Sequence, residues 1–189
     1  MGGLAKGLLR SVDEVDGLRE PIVARTVRVV GAALGANAEV VLVGHSGAYG
    51  DLGLPEIADA PEGVGPMGGF LGACLYATER MVPWVLLLGC DMPFVSASLL
   101  DTLSRARGDG EGVDAVTPCA QGHLQPLCTF YRTGRGREVA ERQIARGRYG
   151  LTELLRTLEP RIVEVAPQDA RWLRDWDTPN DVLSDGGWR

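Results

Sequence analysis

Apolar residues recur along the chain with two alternating periods, one typical of helices and one typical of strands. Segment 21–35 begins with proline and ends with glycine, which are common residues at helix boundaries. Its apolar stripe has helical spacing and consists of Val23, Val27, Val30 and Leu34. The short β-branched run 39–43 follows and predicts a buried strand. An alternation of helix and strand is therefore predicted from residue 21 onward.

This alternation continues to the C-terminus. Further strands are predicted at 55–58, 83–89, 114–117, 124–131 and 161–165, and helices at 67–79, 96–107, 137–145, 152–158 and after Thr178-Pro179. The core of 83–89 is apolar on both faces, which indicates a central strand of a helix-covered parallel sheet. We therefore predict a three-layer α/β/α, Rossmann-like sheet that forms a single domain over residues 1–189.

Composition narrows the functional classes. The net charge of −6 provides no general basic field for a nucleic-acid backbone. The longest apolar run, 85–88, is far shorter than the roughly 18 residues of a membrane span, and the first residues lack the pattern of a secretory signal. The four cysteines form no C-x-x-C pair, which disfavours a zinc site. We expect a cytoplasmic protein that binds neither membrane nor nucleic acid.

Ligands of open α/β sheets bind beyond the carboxyl ends of the strands, so polar residues at those positions are the first candidates. They are Asp59, Asp91, Asp175 and Asp177. Asp91 directly follows the buried strand 83–89, where a carboxylate is suited to binding Mg²⁺. The alternative is that Asp91 caps the next helix or accepts a loop hydrogen bond. From the residues alone, both interpretations stay open.

Two further segments could contact phosphate. Gly65 opens the stretch Gly-Pro-Met-Gly-Gly, which lets backbone approach a ligand and starts a helix whose N–H groups favour anions. Lys6 lies in the glycine-rich start of the chain, where a flexible cation could meet phosphate oxygens. The alternatives are a simple connecting turn and an ordinary exposed lysine. His45 and His123 have no nucleophile or further ligand beside them in sequence, which disfavours a histidine mechanism.

Taken in order, these segments resemble the molybdenum-cofactor guanylyltransferases. The matching stretches are Met1-Gly2-Gly3-x-x-Lys6-Gly7, Asp59, Gly65-Pro66-Met67-Gly68-Gly69, Gly89-Cys90-Asp91-Met92-Pro93, Leu124-Gln125-Pro126-Leu127 and Asp177-Thr178-Pro179. The Gly-Cys-Asp-Met-Pro and Gln-Pro-Leu stretches are the most specific. Related enzymes that use CTP typically carry Gly-Asp-Gln-Pro instead, so the resemblance favours GTP.

The resemblance implies a fold of the nucleotide-diphospho-sugar transferase type and transfer of GMP from GTP to the phosphate of molybdopterin, with release of pyrophosphate. It implies that Lys6 holds the triphosphate, that Asp59 helps to bind guanosine, and that Gly65 belongs to the nucleotide site. Asp91 would bind Mg²⁺, and Asp177 would lie beside the metal. The implied partners are GTP, molybdopterin and, in addition, proteins that make or accept the molybdenum cofactor.

The chain departs from the family pattern at several places. The family normally starts with a hydrophobic strand and a Leu-Ala-Gly-Gly-x-Ser-x-Arg loop, and nothing precedes Met1. At the position before the lysine, where the family usually has an acidic residue, this chain has Ala5. After the second strand, where the family has an asparagine, this chain has the region 44–46. The asparagines usual before Thr-Pro are Asp175 and Asp177, which can bind a metal equally well.

Two hypotheses follow from these departures. In the first, the protein is an active enzyme whose true start lies upstream of Met1. In the second, it is a noncatalytic relative that binds only nucleotide, cofactor or a partner protein. Among enzymes, a cytidylyltransferase or a sugar-phosphate nucleotidyltransferase is the alternative, and a nucleotide panel discriminates between them.

Overall fold

A computed structural model of the protein describes residues 5–12, 17–35, 38–44, 48–108 and 112–185. Within these ranges the strands are β1 (Arg10–Val12), β2 (Arg19–Pro21), β3 (Leu42–Val43), β4 (Glu56–Ile57), β5 (Trp84–Leu88), β6 (Ala115–Ala120), β7 (His123–Leu124), β8 (Cys128–Arg132) and β9 (Arg161–Glu164). The α-helices are α1 (Ile22–Leu34), α2 (Pro66–Glu79), α3 (Ala97–Ala106), α4 (Thr133–Ile144), α5 (Leu151–Thr157) and α6 (Pro179–Ser184). Three 3-10 segments cover Lys6–Leu8, Gly50–Leu52 and Pro167–Leu173.

The strands form a mixed sheet and two small pairs. In the sheet the order is β5-β8-β6-β7, and β9 pairs in parallel with β6. β8 lies antiparallel to both β5 and β6. The parallel pair β3–β4 and the antiparallel pair β1–β2 are hydrogen-bonded separately from this sheet.

Helices cover both faces of the sheet, which confirms the three-layer α/β/α prediction. On one face, α1 and α3 pack on alternate residues of β5, Leu86 and Leu88. On the other face, α2, α4 and α5 pack on Val85 and Leu87. Because successive side chains of a strand point to opposite faces, a strand covered on both sides must be apolar throughout. The apolar run of β5 thus reflects its two helical layers.

The prediction of a parallel neighbour for β5 was wrong, because β8 runs antiparallel to it, whereas β6 and β9 run in the same direction as β5. The sequence analysis expected a central strand of a parallel sheet, but β5 is antiparallel to β8 and, within the described residues, has a strand on one edge only. Apolar residues on both faces report that helices cover a strand, and they carry no information about its direction or its neighbours.

Two other local predictions needed correction. The predicted strand 124–131 is interrupted between β7 and β8 by Gln125-Pro126-Leu127, where the Cys128 N–H donates to the Gln125 carbonyl at 3.0 Å and closes a turn. Proline cannot donate to a strand ladder, which explains the interruption. The hairpin β1–β2 was not predicted, because its three-residue strands are too short for a clear period.

Candidate functional site

Three charged side chains from distant parts of the sequence meet beyond the carboxyl end of β5. The Lys6 ammonium donates to Asp91 Oδ2 and to Asp177 Oδ1, each at 2.9 Å. The structure therefore brings together three of the residues that the sequence analysis singled out. Their chemical roles stay a prediction.

The loop after β5 holds Asp91 in place. A methyl group on Gly89 would lie 2.9 Å from Asp91 Oδ1, so glycine leaves the space that the carboxylate occupies. Ser96 caps α3 by accepting from the Leu99 N–H at 3.1 Å. Among the described residues, Lys6 is the only hydrogen-bond donor to the Asp91 side chain. The alternative interpretation of Asp91 as a helix cap is therefore wrong.

Lys6 is held by the 3-10 segment that it begins. The Gly7 N–H donates to the hydroxyl oxygen of Tyr49 at 3.3 Å, and a methyl group on Gly7 would lie only 3.0 Å from that oxygen. Tyr49 was not identified from the sequence, where only its position in a glycine-rich stretch could have pointed to it. Lys6 is also the only lysine in the sequence, since every other basic side chain is arginine.

A small apolar cluster joins the three chain segments that carry the charged residues. It consists of Leu9, Ile22, Phe94, Trp176 and Val182. Trp176 is fully buried, packs edge-on against Phe94, and donates its backbone N–H to the Asp91 carbonyl at 2.8 Å. Its indole N–H donates to Asp185 Oδ2 at 2.8 Å. Burial of Trp176 thus also fixes the neighbours of Asp177.

The electrostatics of the site favour a cation. Partial burial lowers the pKa of Lys6, but the hydrogen bonds to Asp177 and Asp91 outweigh this effect and raise it, so the ammonium stays charged. Partial burial, followed by the charges of Asp177 and Asp91, raises the pKa of Asp175. The carboxylates of Asp91, Asp175 and Asp177 therefore all interact electrostatically with the Lys6 ammonium.

The donor set fits a hard divalent ion. Asp91 and Asp177 present carboxylate oxygens to a single point between them, and the Lys6 ammonium lies at that point. Mg²⁺ in proteins typically takes one or two carboxylates and completes its shell with water and substrate phosphates. Within the described residues, no cluster of three or more histidine, cysteine, aspartate or glutamate side chains has metal-binding geometry. Asp91 and Asp177 are the residues that could hold such an ion.

Asp59 lies beside the first turn of α2 and Gly65 precedes that turn, and within the described residues no hydrogen bond or ion pair joins either of them to Lys6. Asp59 Oδ1 lies 3.3 Å from the point that a methyl group on Gly69 would occupy. In the described part of the chain, the Asp59 carboxylate has no hydrogen-bond or ion-pair partner and is partly exposed. Gly65 precedes the first turn of α2 with a φ of 63°, a conformation that favours glycine. Asp59 is thus partly exposed and Gly65 is exposed.

Some sequence predictions lie outside the described residues. These are the Met1-Gly2-Gly3 part of the N-terminal motif and His45 with Ser46. His123 is exposed at the start of β7 and contacts none of the charged residues of the site. In the ranges given above, no helix has both the length and the apolar character of a transmembrane segment.

Solved structures share this architecture. Molybdopterin-guanine dinucleotide biosynthesis protein A from Archaeoglobus fulgidus superposes with a TM-score of 0.68 at 18% identity, over 97% of this chain and 89% of that one. The 4-diphosphocytidyl-2C-methyl-D-erythritol synthase of Anaerococcus prevotii superposes with a TM-score of 0.68 at 12% identity, over 91% and 86% of the two chains. The fold is that of the nucleotidyltransferases of the nucleotide-diphospho-sugar transferase type.

Within this class of nucleotidyltransferases, a match to a family model identifies the family of the chain. The model of the MobA-like NTP transferase domain matches residues 1–163, and the chain belongs to this family. A probable molybdenum cofactor guanylyltransferase of Opitutus terrae is 29% identical over 86% of this chain and 80% of its own length. A relative with the same name from Clostridium perfringens is 25% identical over 68% of this chain and 62% of its own length. The chain thus spans less than two thirds of the second relative.

Proposed function

We propose that the protein is a molybdenum cofactor guanylyltransferase that transfers GMP from GTP to the phosphate of molybdopterin and releases pyrophosphate. The observation that carries the proposal is the Lys6 ammonium held between Asp91 and Asp177, at 2.9 Å from each, beyond the end of β5 in a MobA-like chain. Relatives that bear this enzyme name support the choice of substrates.

The proposed reaction needs positioning and charge neutralisation more than acid–base chemistry. A phosphate oxygen of molybdopterin attacks the α-phosphorus of GTP, and a new P–O bond forms. The bond from that phosphorus to the oxygen shared with the β-phosphate breaks, and pyrophosphate leaves with the electron pair. Several negative charges meet in this transition state, so fixed cations provide most of the stabilisation.

We assign roles to residues as follows. Lys6 turns from the carboxylates to the triphosphate when the nucleotide binds, and it neutralises part of its charge. Asp91 and Asp177 hold Mg²⁺, which would polarise the phosphoryl oxygens and orient the leaving group. Asp59, whose carboxylate is unpaired among the described residues, binds the guanosine part. The backbone after Gly65, at the start of α2, lies against the nucleotide.

The setting of the reaction follows from the proposed substrates. GTP and molybdopterin are small cytoplasmic molecules, so we assign the protein to the cytoplasm. Proteins that make or accept the molybdenum cofactor are the partners expected for a labile product. Neither nucleic acid nor membrane takes part in the proposed reaction.

Replacing one carboxylate tests the proposal directly. Asp91→Asn keeps the shape of the side chain and removes the charge, so Mg²⁺-dependent pyrophosphate release should fall by about a hundredfold or more, since a bound metal contributes several kcal/mol. Asp101→Asn is the matched control, because Asp101 lies on the exposed face of α3 in an ion pair with Arg105. The assay contains GTP and molybdopterin, with CTP in a parallel reaction.

Each other outcome contradicts a defined part of the proposal. Unchanged turnover of Asp91→Asn would exclude Asp91 from the site. A clear preference for CTP would indicate a cytidylyltransferase, the class to which several proteins of the same fold belong by name. Binding of GTP without pyrophosphate release would indicate a noncatalytic relative.

A further inference from the structure

The Gln-Pro-Leu turn between β7 and β8 has no part in the roles assigned above. Its first residue, Gln125, is held firmly by its backbone: the Gln125 N–H donates to the Pro118 carbonyl at 3.2 Å, and its own carbonyl accepts from the Cys128 N–H at 3.0 Å. The hydroxyl of Thr129 lies 2.6 Å from the same carbonyl. The backbone of Gln125 is thus fixed to the sheet.

Two buried hydroxyl groups strengthen this attachment. Thr117 on β6 and Thr129 on β8 are both fully buried, and their hydroxyl oxygens lie 2.7 Å apart. Buried hydroxyl groups cost free energy unless they are hydrogen-bonded, and the Gln125 carbonyl provides the acceptor that this pair needs. The turn therefore has one well-defined position relative to the centre of the sheet.

The side chain of Gln125 points away from the sheet, toward the segment that carries the acidic residues. Its Nε2 donates to the Leu173 carbonyl at 3.2 Å. Leu173 is buried and ends the 3-10 segment Pro167–Leu173. The next backbone hydrogen bond from this segment to the loop after β5 is that of the Trp176 N–H to the Asp91 carbonyl, while the side chain of Arg174 is held at the C-terminal end of α6 by Asp185. Asp175 lies between Leu173 and Trp176, and Asp177 directly follows Trp176.

We propose that Gln125 is a positioning residue, which holds residues 173–177 against the sheet so that the Asp177 carboxylate faces Asp91 and Lys6. This inference rests on the proposed function for its catalytic meaning, but the positioning itself is a property of the chain. Without the amide, the Leu173 carbonyl loses its side-chain donor. The segment 173–177 then keeps the apolar packing of Leu173, the ion pair of Arg174 with Asp185, and the backbone hydrogen bond of Trp176. Asp177, whose side chain is 68% exposed, then spends less time beside Lys6.

The test uses the only lysine of the chain as its reporter, in the absence of metal and nucleotide. Reductive methylation of Lys6, followed by peptide mass spectrometry to separate it from the N-terminal amine, measures how well the ammonium is protected by its two carboxylates. Gln125→Met removes the donor at similar size, and Gln125→Glu replaces it with a charge that repels the carbonyl. Asp177→Asn gives the labelling rate of Lys6 that is expected when its ion pair with Asp177 is lost completely and the pair with Asp91 remains.

Gln143→Met is the matched control, because Gln143 Nε2 donates at the same 3.2 Å to Thr157 Oγ1, between α4 and α5 and away from the site. The net value of a hydrogen bond, about 0.5–1.5 kcal/mol, corresponds to a two- to tenfold effect. We expect both Gln125 variants to label about two- to tenfold faster than wild type, approaching Asp177→Asn. In Gln143→Met, Lys6 should be labelled at the wild-type rate. The free energy of unfolding of this variant in urea should fall by an amount comparable to the fall in Gln125→Met.

Wild-type labelling rates in Gln125→Met would overturn the inference, and so would equal acceleration in Gln143→Met, which would indicate a general loss of stability. A second measurement, binding of Mn²⁺ without nucleotide, separates the two proposals. If wild type binds Mn²⁺, the Gln125 variants should bind it about two- to tenfold more weakly. If wild type binds no Mn²⁺ even when GTP is present, the proposed metal role of the site fails, while the Lys6 labelling still decides the role of Gln125.

Discussion

Replacing Lys6 by methionine should affect metal binding and catalysis in opposite directions. The Lys6 ammonium lies between Asp91 and Asp177, in the position that we propose for a divalent ion. A metal that enters the wild-type site must therefore displace an ammonium, whereas Lys6→Met offers two carboxylates with nothing to displace. The metal should bind more tightly to the variant in the absence of nucleotide.

The structure sets the size of this effect. The Lys6 side chain is 27% exposed and that of Asp91 is 20% exposed, so this pair is partly shielded from water, while Asp177 is 68% exposed and its pair is largely screened. Exposed ion pairs contribute about 0.2–1 kcal/mol, and partly buried pairs contribute more. We take about 1–2 kcal/mol for the two together, which corresponds to a roughly five- to thirtyfold lower Kd for the metal.

Titration with Mn²⁺, followed by electron paramagnetic resonance without nucleotide, measures this Kd. Guanylyl transfer, measured separately, should fall by about ten- to a hundredfold, because a charged hydrogen bond to phosphate contributes about 1.5–3 kcal/mol. Lys6→Arg is the control that keeps the positive charge of the side chain and changes its shape. A planar guanidinium does not have the compact shape of the ammonium that lies between the two carboxylates. Unchanged or weaker Mn²⁺ binding in Lys6→Met would refute the reasoning that the ammonium occupies the cation position.

Three further predictions concern glycine packing and thiol reactivity. Gly72→Ala should destabilise the protein by about 1–3 kcal/mol in urea, because the new methyl group would lie 2.4 Å from a backbone carbonyl oxygen, whereas Gly31→Ala on α1 meets nothing within 4 Å and should stabilise it by up to about 1 kcal/mol. Gly89→Ala should lower guanylyl transfer more than stability, because its methyl group would displace the Asp91 carboxylate, and equal losses in both would contradict this. At pH 8, Cys90 alone should react with a thiol reagent, and its rate should still rise up to pH 9, because partial burial and the charge of Asp91 raise its pKa and the thiolate is the reactive form. Burial raises the pKa of two of the unreactive thiols to about 12, those of Cys74 and Cys128.

The order of helices and strands could be predicted from the sequence because each element that packs on the sheet must repeat its apolar residues with its own period. The helix predicted at 67–79 is α2, and the helix predicted at 96–107 is α3. The pairing of the strands could not be predicted in this way. The burial of β5 on both faces is the same for a parallel central strand and for an antiparallel strand with one paired edge.

The acidic residues of the site could be predicted because they follow the ends of elements, where side chains of an α/β sheet converge. Asp91 and Asp177 are 86 positions apart in the sequence, and Lys6 meets both of them. The residues that hold them could not be predicted. Tyr49, Gln125 and Trp176 make individual hydrogen bonds to backbone or to neighbouring side chains, and such bonds leave no periodic signal in a sequence, although Gln125 lies in one of the stretches that carry the family resemblance.

The contacts that arrange the charged residues of the site differ from those that provide most of the stability of the fold. The two large apolar clusters lie between the sheet and its helices, and they contain none of the charged residues of the site. Lys6, Asp91 and Asp177 depend instead on the five-residue cluster around Trp176 and on individual hydrogen bonds. A change at Gln125 or Gly89 removes at most a small part of the core, yet we expect it to displace a carboxylate of the site. Variants of these residues should therefore lose the site before they lose the fold, and comparing unfolding free energy with Lys6 protection in the same variant distinguishes the two.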